Sequence, residues 1–318
     1  MIVATDGNFY GITQNGGPIF NAGTVFKITR TGTLTTLHSF GSGDGSFANG
    51  PLVQGADGNF YGTTEMGGAH GFGTIFKITP SGSFSTFHSF DSTDGSAPAC
   101  GLVLAADRNL YGTTYQGGSN NSCPNGCGTV FKITTNGTLT TLHSFDSTEG
   151  ANPIAGLVQA TDGNFYGTTY AGGTGGDWGT VFKITTSGTV TTLHSFQGTD
   201  GGQPYGPVTQ ATSGNLYGTA TNGTSGASEG TLFSVLTGLR PFVRFVSNAG
   251  KVGQSVGILG QGFIGTSSVS FNGTSATFTV KSGTFITATV PVGATSGFVS
   301  VTTPKGTLKS NVPFRVVP

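Results

Sequence analysis

One unit recurs along this chain at nearly constant spacing. Tyr-Gly-x-Thr starts at Tyr10, Tyr61, Tyr111 and Tyr166, and Tyr217 opens a Tyr-Gly-Thr-Ala variant, so the copies stand 51, 50, 55 and 51 residues apart. A second landmark, Gly-Thr-Val/Ile-Phe-Lys-Ile-Thr, opens at Gly23, Gly73, Gly128 and Gly179, with a weaker copy from Gly230. A third, the His-Ser-Phe end of a Thr-rich run, carries His38, His88, His143 and His194. Landmarks that stay in phase make each period one structural unit that buries its apolar faces against its neighbours.

Each period divides into four β-prone stretches, seen best in the fourth copy as Gly156–Ala160, Asn164–Thr169, Thr180–Thr185 and Thr189–Phe196. The first joins the second through Thr-Asp-Gly-Asn, whose Asp-Gly pair suits a tight hairpin, and the third joins the fourth through an equally short Thr-Ser-Gly. Hairpin joins make neighbouring strands antiparallel, and four such strands per period, repeated radially, describe a propeller blade. A β-solenoid is the alternative, but its shorter repeats do not hold four hairpin-linked strands. The expectation is an all-β chain, a β-propeller of about five four-stranded blades over 1–238, the last lacking its outer strand. Helices are disfavoured by 57 glycines and abundant Thr and Ser, and no apolar run approaches the roughly 18 residues of a membrane-spanning helix. Met1 aligns with Leu157, inside a repeat, which predicts a trimmed N-terminus and a signal peptide absent from this chain.

Antiparallel order also sorts the loops. Those after the second strand (65–72, 115–127, 170–178) and those leading into the next innermost strand (91–100, 146–155) share one face, where binding is expected.

From Leu239 the period stops, and about seven short strands are expected over the last 80 residues, as in a sandwich. Charge divides at the same place. Charged residues make up 8% of the chain; up to Glu229 six basic residues stand against all 13 acidic ones, a formal −7, while 239–318 holds seven basic residues and no acid. That asymmetry marks two domains, 1–238 and 239–318, and opens the alternatives of compositional drift or of a basic module that docks on an acidic surface or polymer. So acidic a repeat segment does not suit nucleic acid.

The unit Asp-Gly-Asn-Phe-Tyr-Gly-Thr-Thr, then Gly-Gly, then Gly-Thr-Val-Phe-Lys-Ile-Thr, then Leu-His-Ser-Phe, at Asp162–Phe196, closely resembles the GloVer tandem repeat of exported bacterial proteins with alternative C-terminal anchors. In the fifth copy Ser213 replaces the turn Asp and the His-Ser-Phe strand is missing. The last segment resembles an IPT/TIG domain of immunoglobulin-like fold, in Gly260–Phe263, Phe271–Ala276 and Val290–Gly297. Both resemblances imply an extracellular or cell-surface location, and neither brings a catalytic mechanism.

Turn chemistry accounts for Asp6, Asp57, Asp107 and Asp162, and for Asp44, Asp94, Glu149 and Asp200. One carboxylate per turn is far from the six or more oxygens calcium takes, so no metal and no cofactor is expected. A histidine in every blade reads as structural, and Lys27, Lys77, Lys132 and Lys183 are expected to pair with a neighbouring blade's acid or to reach the rim. Glycoside hydrolysis needs convergent carboxylates, whereas the acids outside the repeat pattern, Glu65, Asp177 and Glu229, sit on loops of different blades. Catalytic residues are therefore expected to be none. The candidate ligand-binding residues are Phe72, Tyr115, Tyr170 and Trp178, aromatics suited to stacking on sugars or alternatively to filling gaps between blades, together with Asp177 on the same loops. Cys-Pro-Asn-Gly-Cys brackets a turn, giving a Cys123–Cys127 disulfide as hypothesis, with Cys100 a competing partner. The functional expectation is a monomeric, noncatalytic binding or display protein for an extracellular polysaccharide or surface protein; the alternative is a propeller carbohydrate-active enzyme.

Overall fold

The computed structural model describes residues 1–223 and 229–317. Strands and turns account for its regular structure, with no helix among the described residues. The chain forms two compact units, Met1–Val208 with Gly218–Phe233, and Thr209–Tyr217 with Ser234–Pro318.

The repeats form the blades of a β-propeller. Four are four-stranded antiparallel sheets whose strands follow one another in sequence order, and the fifth has three strands: Thr209–Gln210, Leu216–Ala220 and Thr231–Val235. In the fourth blade the strands run Val158–Gln159, Phe165–Thr169, Thr180–Ile184 and Val190–Ser195, close to the ranges expected from the sequence. Tyr166 faces Lys183 and Gly167 faces Phe182 across the middle pair, and a register shift between Val181 and Phe182 bends the outer pair.

The Tyr-Gly pair has a local reason. Cross-strand from Gly11, Gly62 and Gly112 lie Phe26, Phe76 and Phe131. A Cβ at any of these glycines would stand 2.5 Å from the ring of its partner, so glycine is what lets the phenylalanine lie flat on the strand. The hairpin before it turns on Gly7, Gly58 and Gly163, with φ near +80°; in the third blade Arg108 holds that left-handed position at φ +66°.

Aromatic stacking joins blade to blade. Tyr10 stacks on Phe60 with centroids 4.0 Å apart, and Tyr111 meets Phe165 at 4.1 Å. Further out, Phe40, Phe90, Phe145 and Phe196 each meet the third-strand phenylalanine of the next blade, at 5.0 to 5.3 Å. Burying rings of this size gives each such interface several kcal/mol, at roughly 1.5–3 kcal/mol per side chain.

The second unit contains two four-stranded sheets over one core. Val256, Ile258, Ile286 and Ala288 come from one sheet and Val269, Phe271, Val299 and Val301 from the other, closed by Phe314. A parallel pair, Ala249–Lys251 with Arg315–Val317, ties its ends together. Ten strands form from Arg244 on, where seven were expected. The surplus consists of two- and three-residue strands such as Thr274–Ser275, too short for period-2 patterning to reveal.

Candidate functional site

Most polar residues singled out by the repeat are spent on holding it together. Asp57 accepts hydrogen bonds from the Asn59 backbone and side chain and from the Tyr61 hydroxyl (2.9 Å), and its carboxylate meets Lys77 at 2.9 Å. Burial alone would raise its pKa, but the bonds from Asn59, Lys77 and Tyr61 outweigh burial and hold the carboxyl well below the usual range. Asp6 and Asp162 repeat this with Lys27 and Lys183. These lysines pair with the turn acid of their own blade, where the expectation was an acid of a neighbouring blade or the rim. Antiparallel register places Lys77 opposite Tyr61, beside the hairpin that carries Asp57.

The histidines are similarly committed. His38, His88 and His194 bond Asp44, Asp94 and Asp200 through Nε2 at 2.7 to 2.8 Å, and His143 bonds Glu149 at 2.6 Å. The His38 ring also stacks on Phe84 of the next blade at 3.7 Å. A cleft of about 600 Å³ beside the fourth of these pairs is lined by Glu149, Thr192, His194 and Gln197. Its His194 and Glu149 are each already bonded within a blade-typical pair, so we place the site elsewhere.

The loops between blades build the more distinctive feature. In each, one residue donates its N–H to the preceding blade and its carbonyl accepts from its own: Ala97 bridges Phe72 and Tyr115, Asn152 bridges Cys127 and Tyr170, and Gln203 bridges Trp178 and Thr221. Ala97, Asn152 and Gln203 adopt φ of +53° to +56°, as does Phe47 at the corresponding place. Four non-glycine residues in the left-handed region at one level of the fold are a concentrated source of backbone strain. They fix the exits of the second strands, where Glu65, Tyr115 and Tyr170 stand in successive blades.

Tyr205, in the next loop, approaches Tyr170 edge-on with centroids 6.3 Å apart. Burial raises the pKa of Tyr115, and the charges of Tyr170, Tyr205 and Glu65 raise it further. Tyr205 is the most open of them, and the Asn152 side chain holds the Tyr115 carbonyl at 2.9 Å. The result is three phenols and one carboxylate from consecutive blades on the loop face.

The other predicted residues lie outside this cluster. Trp178, half-buried, packs its indole against Gly198 and Gly202 of the loop that leads to the next blade. Asp177 sits at φ +72° and caps the Gly172 N–H, and Phe72 is partly exposed beside its own loop. Cys123 and Cys127 are disulfide-bonded with Cα atoms 5.1 Å apart, while Cys100 is buried and free, its sulfur 3.0 Å from the Thr113 hydroxyl. Among the described residues no three His, Cys, Asp or Glu side chains gather in an arrangement that would hold a metal ion.

The model of the Gloeobacter/Verrucomicrobia repeat matches residues 1–123 and 109–284. A comparison with curated proteins finds no match. Among solved structures the chain is similar to a gluconolactonase from Xanthomonas campestris, at 15% identity over 88% of this chain and 86% of that one, with a TM-score of 0.42. It is also similar to an α-L-arabinofuranosidase from Clostridium thermocellum (15% identity, 75% and 90% covered, TM-score 0.37) and to a fungal alcohol oxidase in complex with copper (12%, 99% and 84%, TM-score 0.39).

Proposed function

The chain belongs to the Gloeobacter/Verrucomicrobia repeat family, and from that premise we propose that it is a noncatalytic extracellular or cell-surface binding protein whose ligand face is the cluster of Glu65, Tyr115, Tyr170 and Tyr205. The ligand class is carbohydrate. The observation that carries the reading is the edge-on approach of Tyr170 and Tyr205, with Tyr115 and Glu65 at the equivalent strand exits of the two preceding blades. Phenol rings stack on the apolar faces of sugars, and their hydroxyls exchange hydrogen bonds with sugar hydroxyls. The strained loop residues behind them fix the rings before the ligand arrives, which lowers the ordering cost of binding. In this reading the C-terminal sandwich, with its IPT/TIG-like motifs, is a spacer. The Cys123–Cys127 bond supports an oxidising compartment.

A glycoside hydrolase or lyase is the second reading, and Glu65 is what favours it. Both routes of glycoside hydrolysis use two carboxyl groups about 5–10 Å apart, and among the described residues Glu65 is the one carboxylate that acts on Tyr115. A glycan array probed with the wild-type chain and with Tyr205→Ala and Tyr170→Ala, run beside hydrolysis assays on the same polymers, separates the readings. Binding lost in the variants with no product released supports the proposal; turnover abolished by Glu65→Gln overturns it.

A further inference from the structure

The second unit takes in Thr209–Tyr217 and Ser234–Pro318. Across both stretches it carries seven lysines and arginines and no aspartate or glutamate, so a base in it finds no side-chain carboxylate of its own unit to pair with. Arg244 is such a base. Its side chain is exposed and makes no ion pair or hydrogen bond among the described residues.

Antiparallel register sets Leu259 directly opposite Arg244. In the Leu259 strand Val256 and Ile258 belong to the core, so alternation turns Leu259, and with it Arg244, to the outer side, where Leu259 is left 41% exposed. Both residues line a cleft of about 470 Å³, together with Thr209, Thr212, Thr284 and Gln261. Its walls are tied to one another and to their surroundings. The Gln261 amide donates to the Thr212 hydroxyl at 3.2 Å, the Thr212 carbonyl accepts from the Phe242 N–H at 3.1 Å, and the Thr284 carbonyl accepts from the Gly260 N–H at 3.1 Å. A cleft of this volume is of the size that holds small molecules, and walls already tied need little ordering when one arrives.

We infer that this cleft binds a carboxylate-bearing sugar, a uronic acid unit of a polysaccharide. A guanidinium takes a carboxylate through two parallel hydrogen bonds. The C–H face of a sugar ring covers the exposed leucine, and threonine hydroxyls and a carboxamide exchange hydrogen bonds with ring hydroxyls. A bare inorganic anion leaves the leucine and the hydroxyls unused, and a neutral sugar leaves the guanidinium unpaired. This site stands apart from the loop face of the propeller and does not rest on it; it gives the second unit, a spacer in that reading, a ligand of its own.

Calorimetric titration of the full chain with the galacturonic acid trimer and with its neutral methyl ester tests the inference. The acid is expected to bind at least about ten-fold more tightly than the ester, as one charge-assisted pair of hydrogen bonds allows. Arg244→Gln is expected to erase that preference, and Leu259→Asp, which sets a carboxylate opposite Arg244, to abolish binding of the acid. Both positions are exposed, so both variants should melt close to wild type. Lys305→Gln, which removes a base of the same unit outside the cleft, should keep the preference, as should Tyr205→Ala. No binding of the acid, or equal affinity for acid and ester, overturns the proposal. So does a loss shared equally by Arg244→Gln and Lys305→Gln, which is diffuse attraction to a basic surface, or a loss caused by Tyr205→Ala and not by Arg244→Gln, which puts the sugar on the loop face.

Discussion

Phe131 lies across Gly112 from the neighbouring strand, so close that a Cβ at 112 would stand 2.5 Å from its ring. Both residues are buried, and the ring is also held by Phe90 of the preceding blade at 5.3 Å. Gly112→Ala therefore has no cheap relaxation, and denaturant unfolding should show a loss of about 1–3 kcal/mol, the usual cost of overpacking. Gly32, at the tip of an outer hairpin, meets no neighbour at its Cβ, although its φ of +89° is left-handed; Gly32→Asn should cost less than Gly112→Ala because asparagine tolerates that conformation.

Arg108 offers the opposite case. It occupies at φ +66° the turn position that glycine holds in neighbouring blades. A side chain there costs about 1–2 kcal/mol, part of which glycine returns as unfolded-state entropy, so Arg108→Gly should stabilise by about 0.5–1 kcal/mol. Thermal unfolding of the variant beside wild type checks it.

The turn carboxylates and their tyrosines tie stability to pH at both the acid and the alkaline end. Asp57 is ionised more readily in the folded chain than its ordinary 3.8, so its contribution is present above that value and is lost as pH falls through the folded pKa. Asp57→Asn should flatten the acid limb of the stability curve and cost about 1 kcal/mol at neutral pH, given how exposed the pair is. Burial, with help from Asp6, pushes Tyr10 up to about 12. Its contribution is complete below the ordinary 10 and is lost as pH rises toward 12, so Tyr10→Phe should soften the alkaline limb.

Thiol chemistry has a clean expectation. Peptide mapping without reduction should recover residues 123 and 127 in one linked peptide and label Cys100 alone, only after denaturation, since that thiol is fully buried. Three labelled thiols would contradict the bond.

The blades were legible because period, hairpin residues and strand length all pointed to one unit. The proposed ligand face was legible only in part. Tyr115 and Tyr170 stood out because they occupy the same place in neighbouring copies. Tyr205 did not, since that place holds Asn49, Ala99 and Ile154 in other copies and so resembles a variable loop. The glycines beside Trp178, Gly198 and Gly202, could not be matched to it because they carry no side chain for a sequence pattern to show. Lysine pairing failed on register, because strand alternation tells which face a side chain takes but not which hairpin end it reaches.

The stacking of Tyr10 on Phe60, and of Tyr111 on Phe165, refers each blade only to the one beside it. Most positions of such a joint repeat one residue type from blade to blade, so recombination that duplicates or excises one whole period leaves apolar side chains facing apolar side chains. Blade number is then a cheap evolutionary variable, whereas single substitutions inside the joint are expensive ones. A lineage of such proteins would diversify by length first and by loop sequence second, with the second strands nearly frozen.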